Sequence, residues 1–228
     1  MSIAENIKKI HQEINDAAID AGRDASDIIL LAVTKTRTVD EILEAAEAGV
    51  FHFGENRVQE ASDKIPEMNK NVVWHMIGPL QTNKSKLAVT LFEWIDSIHS
   101  QKIADVLSSR AVAAGRTLKV LIQVNISGEQ AKSGVTPADV KKLAKYVVEK
   151  DGLELNGLMT IGSFGVTHDV TRSEYASMRE LFNTLRDDNV LQAYMNVLSM
   201  GMSDDYRIAV EEGSTMVRIG TSIFGARK

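Results

Sequence analysis

The feature that most constrains this chain is an alternation. From residue 28 onward, short runs rich in β-branched and aromatic residues alternate with runs whose apolar positions recur at helical spacing. The β-rich runs number eight: Ile28–Thr34, Val50–Phe53, Val72–Ile77, Trp94–Ile98, Lys119–Ile126, Leu153–Thr160, Asn196–Met200 and Thr215–Ile219. Between them the spacing predicts helices over Val39–Ala48, Arg57–Ile65, Asn83–Leu91, Gln101–Ala114, Pro137–Glu149, Ser173–Arg186 and Asp204–Glu211. The punctuation agrees: Gly49, Gly115, Gly152 and Gly213 stand just past helix ends, and Thr136-Pro137 and Ser203-Asp204 read as an N-cap followed by a first helical position. Such an alternation over 228 residues predicts a parallel sheet covered by helices, in the α/β class, and specifically a (β/α)8 TIM barrel, whose usual length is about 250 residues. A doubly wound open sheet is the alternative.

Ahead of the first strand, residues 1–22 read as an amphipathic helix, with Ile3, Ile7, Ile10, Ile14, Ala17 and Ala21 at intervals of three and four and Gly22 ending it. Its stripe is too short for a coiled-coil seam, and Glu5, Glu13, Asp16 and Asp20 do not suit a mitochondrial presequence. Because the chain ends at Lys228, the eighth helix can only be short, and the N-terminal helix is expected to cover the barrel there. Composition fits one soluble domain over 1–228, at 44% hydrophobic and 25% charged. A formal charge of −5 without a basic cluster argues against nucleic acid or an anionic membrane as partner. There is no cysteine, which removes disulfides and thiolate chemistry; with no signal-peptide pattern and no membrane-length apolar run, the cytoplasm is the expected location. Nothing in the sequence calls for an oligomer, and a monomer is expected.

In a parallel barrel the residues just after each strand share one mouth. After strand one comes Lys35; after two, Gly54-Glu55-Asn56; after three, the stretch from Gly78 to Lys84; after five, Asn125. After seven comes Ser199-Met200-Gly201-Met202-Ser203, and on and after eight, Arg218-Ile219-Gly220-Thr221-Ser222. A lysine at a strand's end either begins a solvated loop or presents an amine to chemistry, and the neutral amine is a nucleophile toward aldehydes. Small residues leading into helix N-termini after strands seven and eight suit a phosphate. Arg218 alternates with Val217 and Ile219 and should point into the mouth, where its charge needs an acceptor: a buried carboxylate such as Glu55, or a ring nitrogen of a cofactor. These residues together predict a ligand bearing a phosphate and a carbonyl. The loop from Gly162 to Thr167 is the longest irregular stretch, and residues 161–172 match no pattern. No metal-ligand spacing links His11, His52, His99 and His168.

Several motifs in order carry a resemblance running from about Leu30 to Arg227. They are Ala32-Val33-Thr34-Lys35, Phe53 to Glu60, Trp74 to Lys84, Lys132-Ser133-Gly134, Gly157-Leu158-Met159, Leu198 to Asp205 and Val217 to Gly225. In these the chain resembles the pyridoxal phosphate homeostasis proteins, single-domain relatives of the N-terminal barrel of alanine racemase. The resemblance implies a fold-type III barrel for pyridoxal 5'-phosphate (PLP), with Lys35 holding PLP as an internal aldimine. It further implies Ser199, Gly220 and Thr221 at the phosphate, Arg218 at the pyridine nitrogen and Asn56 near the ring, with Met159, Met200 and Gly201 completing the cofactor-binding set. The function so implied is intracellular PLP homeostasis, with PLP-dependent apo-enzymes as recipients.

Residue chemistry limits the alternatives. A cation facing the ring nitrogen keeps that nitrogen unprotonated, so the ring is a weak electron sink and racemisation is the mildest α-carbon reaction left. Racemisation needs a second base. Tyr146, Tyr175, Tyr194 and Tyr206 all fall in helices or at their ends, and His75, within strand three, is the one candidate, as base or as a packed residue. A low-activity amino-acid racemase and a Schiff-base aldolase acting on a phosphosugar are the competing readings. Lys84 and Lys132 are further amines in recurring motifs, each either a second PLP site or a solvated lysine.

Overall fold

In the computed structural model, which describes residues 2–129 and 132–226, parallel strands close into a barrel in sequence order, β1 through β8, with β8 pairing back onto β1. That closing pair, Ile29 to Ala32 against Met216 to Ile219, excludes the open doubly wound sheet. The strands are β1 Ile29–Val33, β2 His52–Glu55, β3 Val73–Met76, β4 Trp94–Ile98, β5 Leu118–Val124, β6 Leu153–Thr160, β7 Val197–Ser199 and β8 Met216–Ile219. The helices are α1 Ile3–Asp20, α2 Val39–Glu47, α3 Val58–Lys64, α4 Ser85–Leu91, α5 Gln101–Ala113, α6 Pro137–Val148, α7 His168–Arg186, α8 Tyr206–Glu211 and α9 Thr221–Phe224. Met1 and Arg227, at the ends of the expected helix and of the resemblance, lie outside the described residues.

Where elements depart from the sequence reading, local hydrogen bonds explain it. β2 begins two residues late because Val50 N–H closes the end of α2 on Ala45 O while Phe51 is exposed. α7 begins at His168 rather than Ser173, since Thr167 caps it by accepting from Val170 N–H, and the loop shrinks accordingly. α8 begins at Tyr206 rather than Asp204. Ser203 is not its cap, because its hydroxyl accepts N–H groups from the loop after β8 instead. Thr136 does occupy the N-cap position of α6, but its hydroxyl donates to the Asp139 carboxylate.

Alternation along the strands divides the core in two. Leu31, Ile77, Trp94, Leu121, Met159, Val197 and Met216 fill the barrel interior, and a larger apolar shell packs the outer face of the sheet against the helices. α1 belongs to that shell. Its Ile7, Ile10 and Ile14 are buried, each burial contributing on the order of 2 kcal/mol, and it packs on α8, α9 and α2. Asn6 donates to Ile223 O at 2.8 Å, and Arg37 to Phe224 O at 3.1 Å. The terminal carbonyls of the four-residue α9 are thereby satisfied from outside, and α1 covers the short eighth position as expected.

Candidate functional site

The carboxyl ends of the strands open on a cavity of about 320 Å³, within the range of small-molecule sites. Lys35, one residue beyond Thr34 at the end of β1, lines it. So do Asn56 just after β2, Gln123 of β5 and Asn125 just after it, Lys132, and Arg218 from β8, with Ile77, Phe164 and Met202 as apolar wall. Asn56 is set by a close approach: a Cβ on Gly78 would lie 2.3 Å from Asn56 O, so only glycine lets the end of β3 pass there.

Arg218 faces inward, as its alternation predicts, and is 3% exposed. Glu55 is not its partner. Arg218 donates to Ser199 Oγ and to Thr160 O, both at 2.7 Å, while Glu55 faces the opposite side of the sheet and pairs with Lys64 at 2.9 Å. Burial pushes the guanidinium below its ordinary value, opposed by Tyr175, Asp96 and Asp205, and an arginine still remains charged there. Its guanidinium is thus fixed from below and forms part of the cavity wall.

The expected phosphate loops adjoin this wall. The N–H groups of Gly220 and Ser222 converge on Ser203 Oγ, each at 3.3 Å. An acceptor oxygen between the loops after β7 and β8 is the element a phosphate supplies. The loop after β7 is shaped by Asp205, which accepts Met202 N–H at 2.6 Å and the Tyr175 hydroxyl at 2.9 Å. Burial and that carboxylate push the Tyr175 phenol well up. Gly201 sits at φ +95, and a Cβ there would strike Ala209 Cβ at 2.5 Å.

Of the residues expected at the site, Lys35, Asn56 and Arg218 share the cavity wall. Ser199 and Met159 lie fully buried in the barrel interior, Ser199 as the acceptor that seats Arg218. Met200 packs in the outer shell with its N–H on Met216 O, and Gly201 contributes its carbonyl to Arg218 N–H. Gly220 and Thr221 begin α9 beside the cavity rather than in its lining. His75 is not a mouth residue. It is fully buried inside the barrel, its Nδ1 at 3.1 Å from Asp96 Oδ2, its Nε2 at 3.0 Å from His52 Nδ1, and its ring stacked on Trp94. Tyr146, Tyr175 and Tyr206 are hydrogen-bonded to Asp105, Asp205 and Glu13, outside the cavity. Lys132 does share the cavity with Lys35, bonded to Glu129, Ser127, Gly162 and Ser163. Lys84 lies in an adjoining groove, donating to Gln59.

Gln123 escaped the sequence reading, although the alternation that marks Arg218 marks it too: it is the inward polar residue of an apolar strand. Its side chain donates to Ser133 O at 3.0 Å and folds the Lys132-Ser133-Gly134 motif back over the end of β5. Phe164 carried no signal beyond its place in an unmatched loop. A larger groove of about 680 Å³ lies among α1, α7 and α8, but its mixed lining of Lys9, Glu13, Arg172, Asp204 and Arg207 aims no converging chemistry at one point. Among the described residues no cluster of histidine and carboxylate side chains is arranged to hold a metal ion, and no helix is long and apolar enough to cross a membrane.

The family model described as alanine racemase, N-terminal domain, matches residues 2–228. A pyridoxal phosphate homeostasis protein of Pasteurella multocida is 44% identical, covering 100% of this chain and 98% of its own. An unknown protein from Bifidobacterium adolescentis superposes with a TM-score of 0.90 at 37% identity, covering 97% of this chain and 94% of that one. PipY of Synechococcus elongatus, solved with PLP bound, superposes at 0.83 with 33% identity, covering 98% and 100%. On this barrel and this extent of similarity, the chain belongs to the pyridoxal phosphate homeostasis protein family, built on the alanine racemase N-terminal domain.

Proposed function

We propose that this single-domain protein binds PLP at the barrel mouth, holds it covalently through Lys35 and serves the intracellular supply of the cofactor to PLP-dependent apo-enzymes. The observation that carries this reading is that Lys35, from β1, and Arg218, from β8, wall one cavity beside loops whose N–H groups converge on an acceptor. The PLP-bound structure of PipY supports it. When bound, PLP supplies an aldehyde that an amine can capture and a ring that withdraws electrons. Lys35 would hold the cofactor through its amine, which is nucleophilic when neutral. Arg218 would hold the ring-nitrogen side of the cofactor, where its charge would disfavour a proton; the loops ending in Ser203 and beginning at Gly220 and Thr221 would take the phosphate, and Asn56 would border the ring. Ser199 acts through Arg218.

Turnover has little support in the lining. Among the described residues the cavity wall holds neither tyrosine nor histidine, and its second amine, Lys132, is engaged with Glu129, Ser127, Gly162 and Ser163, whereas a racemase needs a free second base opposite its lysine. A binding protein working as a monomer in the cytoplasm accounts for the site with fewer parts. The test is the visible spectrum of the purified protein, then borohydride reduction and peptide mass mapping with Lys35→Ala in parallel. A yellow protein with the reduced adduct on Lys35 is expected, and a Lys35→Ala variant without an adduct at that position. A colourless protein that takes up no added PLP would overturn the proposal in favour of a phosphosugar, and Lys35-dependent exchange of an amino acid's α-proton would turn it into a racemase.

A further inference from the structure

The backbone on both sides of Lys35 is gripped by side chains that do not enter the cavity. Before it, Thr34 N–H donates to Gly54 O at 3.0 Å and Thr34 Oγ1 to Glu55 Oε1 at 2.7 Å, while Thr34 O accepts from Lys64 Nζ at 2.8 Å. After it, Thr36 N–H donates to Glu60 Oε1. Lys64 joins the two sides, donating to Glu55 Oε1 at 2.9 Å and to Glu60 Oε1 at 2.6 Å. The arrangement is costly. Thr36 has φ +65, the left-handed region, and is the one non-glycine residue there among the described residues. For a β-branched residue that conformation is strained and persists only when its surroundings enforce it. Glu55 is fully buried, its Oε2 is the one buried side-chain polar atom without a partner among the described residues, and burial holds its carboxyl above the ordinary range. A strained turn and an unsatisfied buried carboxylate meet on either side of the residue proposed to take the cofactor.

We propose that Glu60, Lys64 and Glu55 are positioning residues for Lys35, holding the left-handed turn at Thr36 that sets the direction of the lysine into the cavity. This rests on the reading of Lys35 as the amine that takes PLP. Glu60 is the member to vary, since it is partly exposed on a helix surface and its loss leaves the Glu55–Lys64 pair in place.

The test compares wild type, Glu60→Ala and Glu60→Ala with Thr36→Gly, on the full chain. The first readout needs no cofactor: competitive labelling of the PLP-free protein with an amine-directed reagent, mapped lysine by lysine. Glu60→Ala should change the labelling of Lys35 several-fold while distant lysines such as Lys102 keep theirs. The second is PLP binding followed by its visible band, where Glu60→Ala should weaken affinity about tenfold with a small change in urea midpoint, because displacement of a reacting group is paid in binding rather than folding. Thr36→Gly should recover part of that affinity, since glycine adopts the turn without help. Unchanged Lys35 labelling together with wild-type affinity in Glu60→Ala would overturn the proposal. So would a loss of affinity matched by an equal loss of stability and not recovered by Thr36→Gly, which marks a structural brace. If wild type yields no Lys35 adduct but Glu60→Ala still alters Lys35 labelling, the positioning role stands and the assignment of the cofactor to Lys35 falls.

Discussion

The wall of the barrel separates two buried charge clusters built in opposite ways. On its outer side, Lys64 meets Glu55 and Glu60, ion to ion, and one carboxylate oxygen is left over. On its inner side, beneath the cavity, both oxygens of Asp96 lie near His75 Nδ1, at 3.2 and 3.1 Å, and His75 passes its other nitrogen to His52. The inner chain is closed and stacked on Trp94; it plugs the barrel's core. The outer one is incomplete and lies against the turn that carries Lys35. A buried polar group is retained unsatisfied only where something else requires it, so the difference separates a cluster that fills space from one that aims a side chain.

The largest effect should come from breaking the outer cluster. Lys64→Met removes the only cation facing Glu55 among the bonds described and leaves a buried carboxylate uncompensated, which costs about 3–5 kcal/mol, read as a lower urea midpoint at pH 7. The deficit should depend on pH. Burial raises the Glu55 carboxyl above 4.5, so the folded protein holds that proton more tightly than the unfolded one. Its contribution is fully present below 4.5 and is lost as pH rises through the raised value. Acidification toward pH 5 should therefore return part of what Lys64→Met loses; an equal deficit at both pH values would show that Glu55 is not the source.

Asp96→Asn breaks the inner cluster with little change in shape and should cost less, about 2 kcal/mol, because an amide still accepts from His75. The carboxylate also favours the charged form of Arg218, so PLP affinity should fall with stability. With the wall between them, the two clusters should not couple: Lys64→Met and Asp96→Asn are expected to add within about 0.5 kcal/mol. Coupling well beyond that in a double-mutant cycle would mean that they are one network, and the contrast would fail.

The barrel was legible because eight alternations leave few other folds, and Lys35 and Arg218 because strand ends and strand alternation are periodic signals. The two clusters were not. Glu55 stood in the sequence as a mouth residue beside Asn56, when the same alternation that places Gly54 inside turns Glu55 outward onto Lys64. Lys64 drew no notice because its partners Thr34 and Glu55 lie on two other elements, and long-range pairing leaves no local pattern. His75 could be read as a base or as packing, and only the inward position of Asp96 and His52 decides. Thr36 shows the same limit: a threonine at positive φ has no sequence signature, since its conformation is imposed by Glu60, a residue on α3.

The smallest effect lies at the exposed end of the inner chain, and it has the opposite sign. Burial, with repulsion from His75 and Lys119, lowers His52 to about 4 from 6.5. The folded protein therefore keeps His52 neutral where the unfolded chain would take a proton. The stability this contributes is complete above 6.5 and is lost as pH falls through 6.5 toward about 4. Because the ring is partly solvated, the loss between pH 7 and 5 should amount to about 1 kcal/mol. His52→Gln keeps a donor for His75 and removes the titration, so urea midpoints should show the variant gaining on wild type as the pH is lowered. Glu55 moves the other way over the same range, and with His52 silenced its contribution should emerge as a flatter or rising stability on acidification. If His52→Gln retains the wild-type slope, the acid sensitivity does not arise at His52, and the exposed end of the inner chain contributes by packing alone.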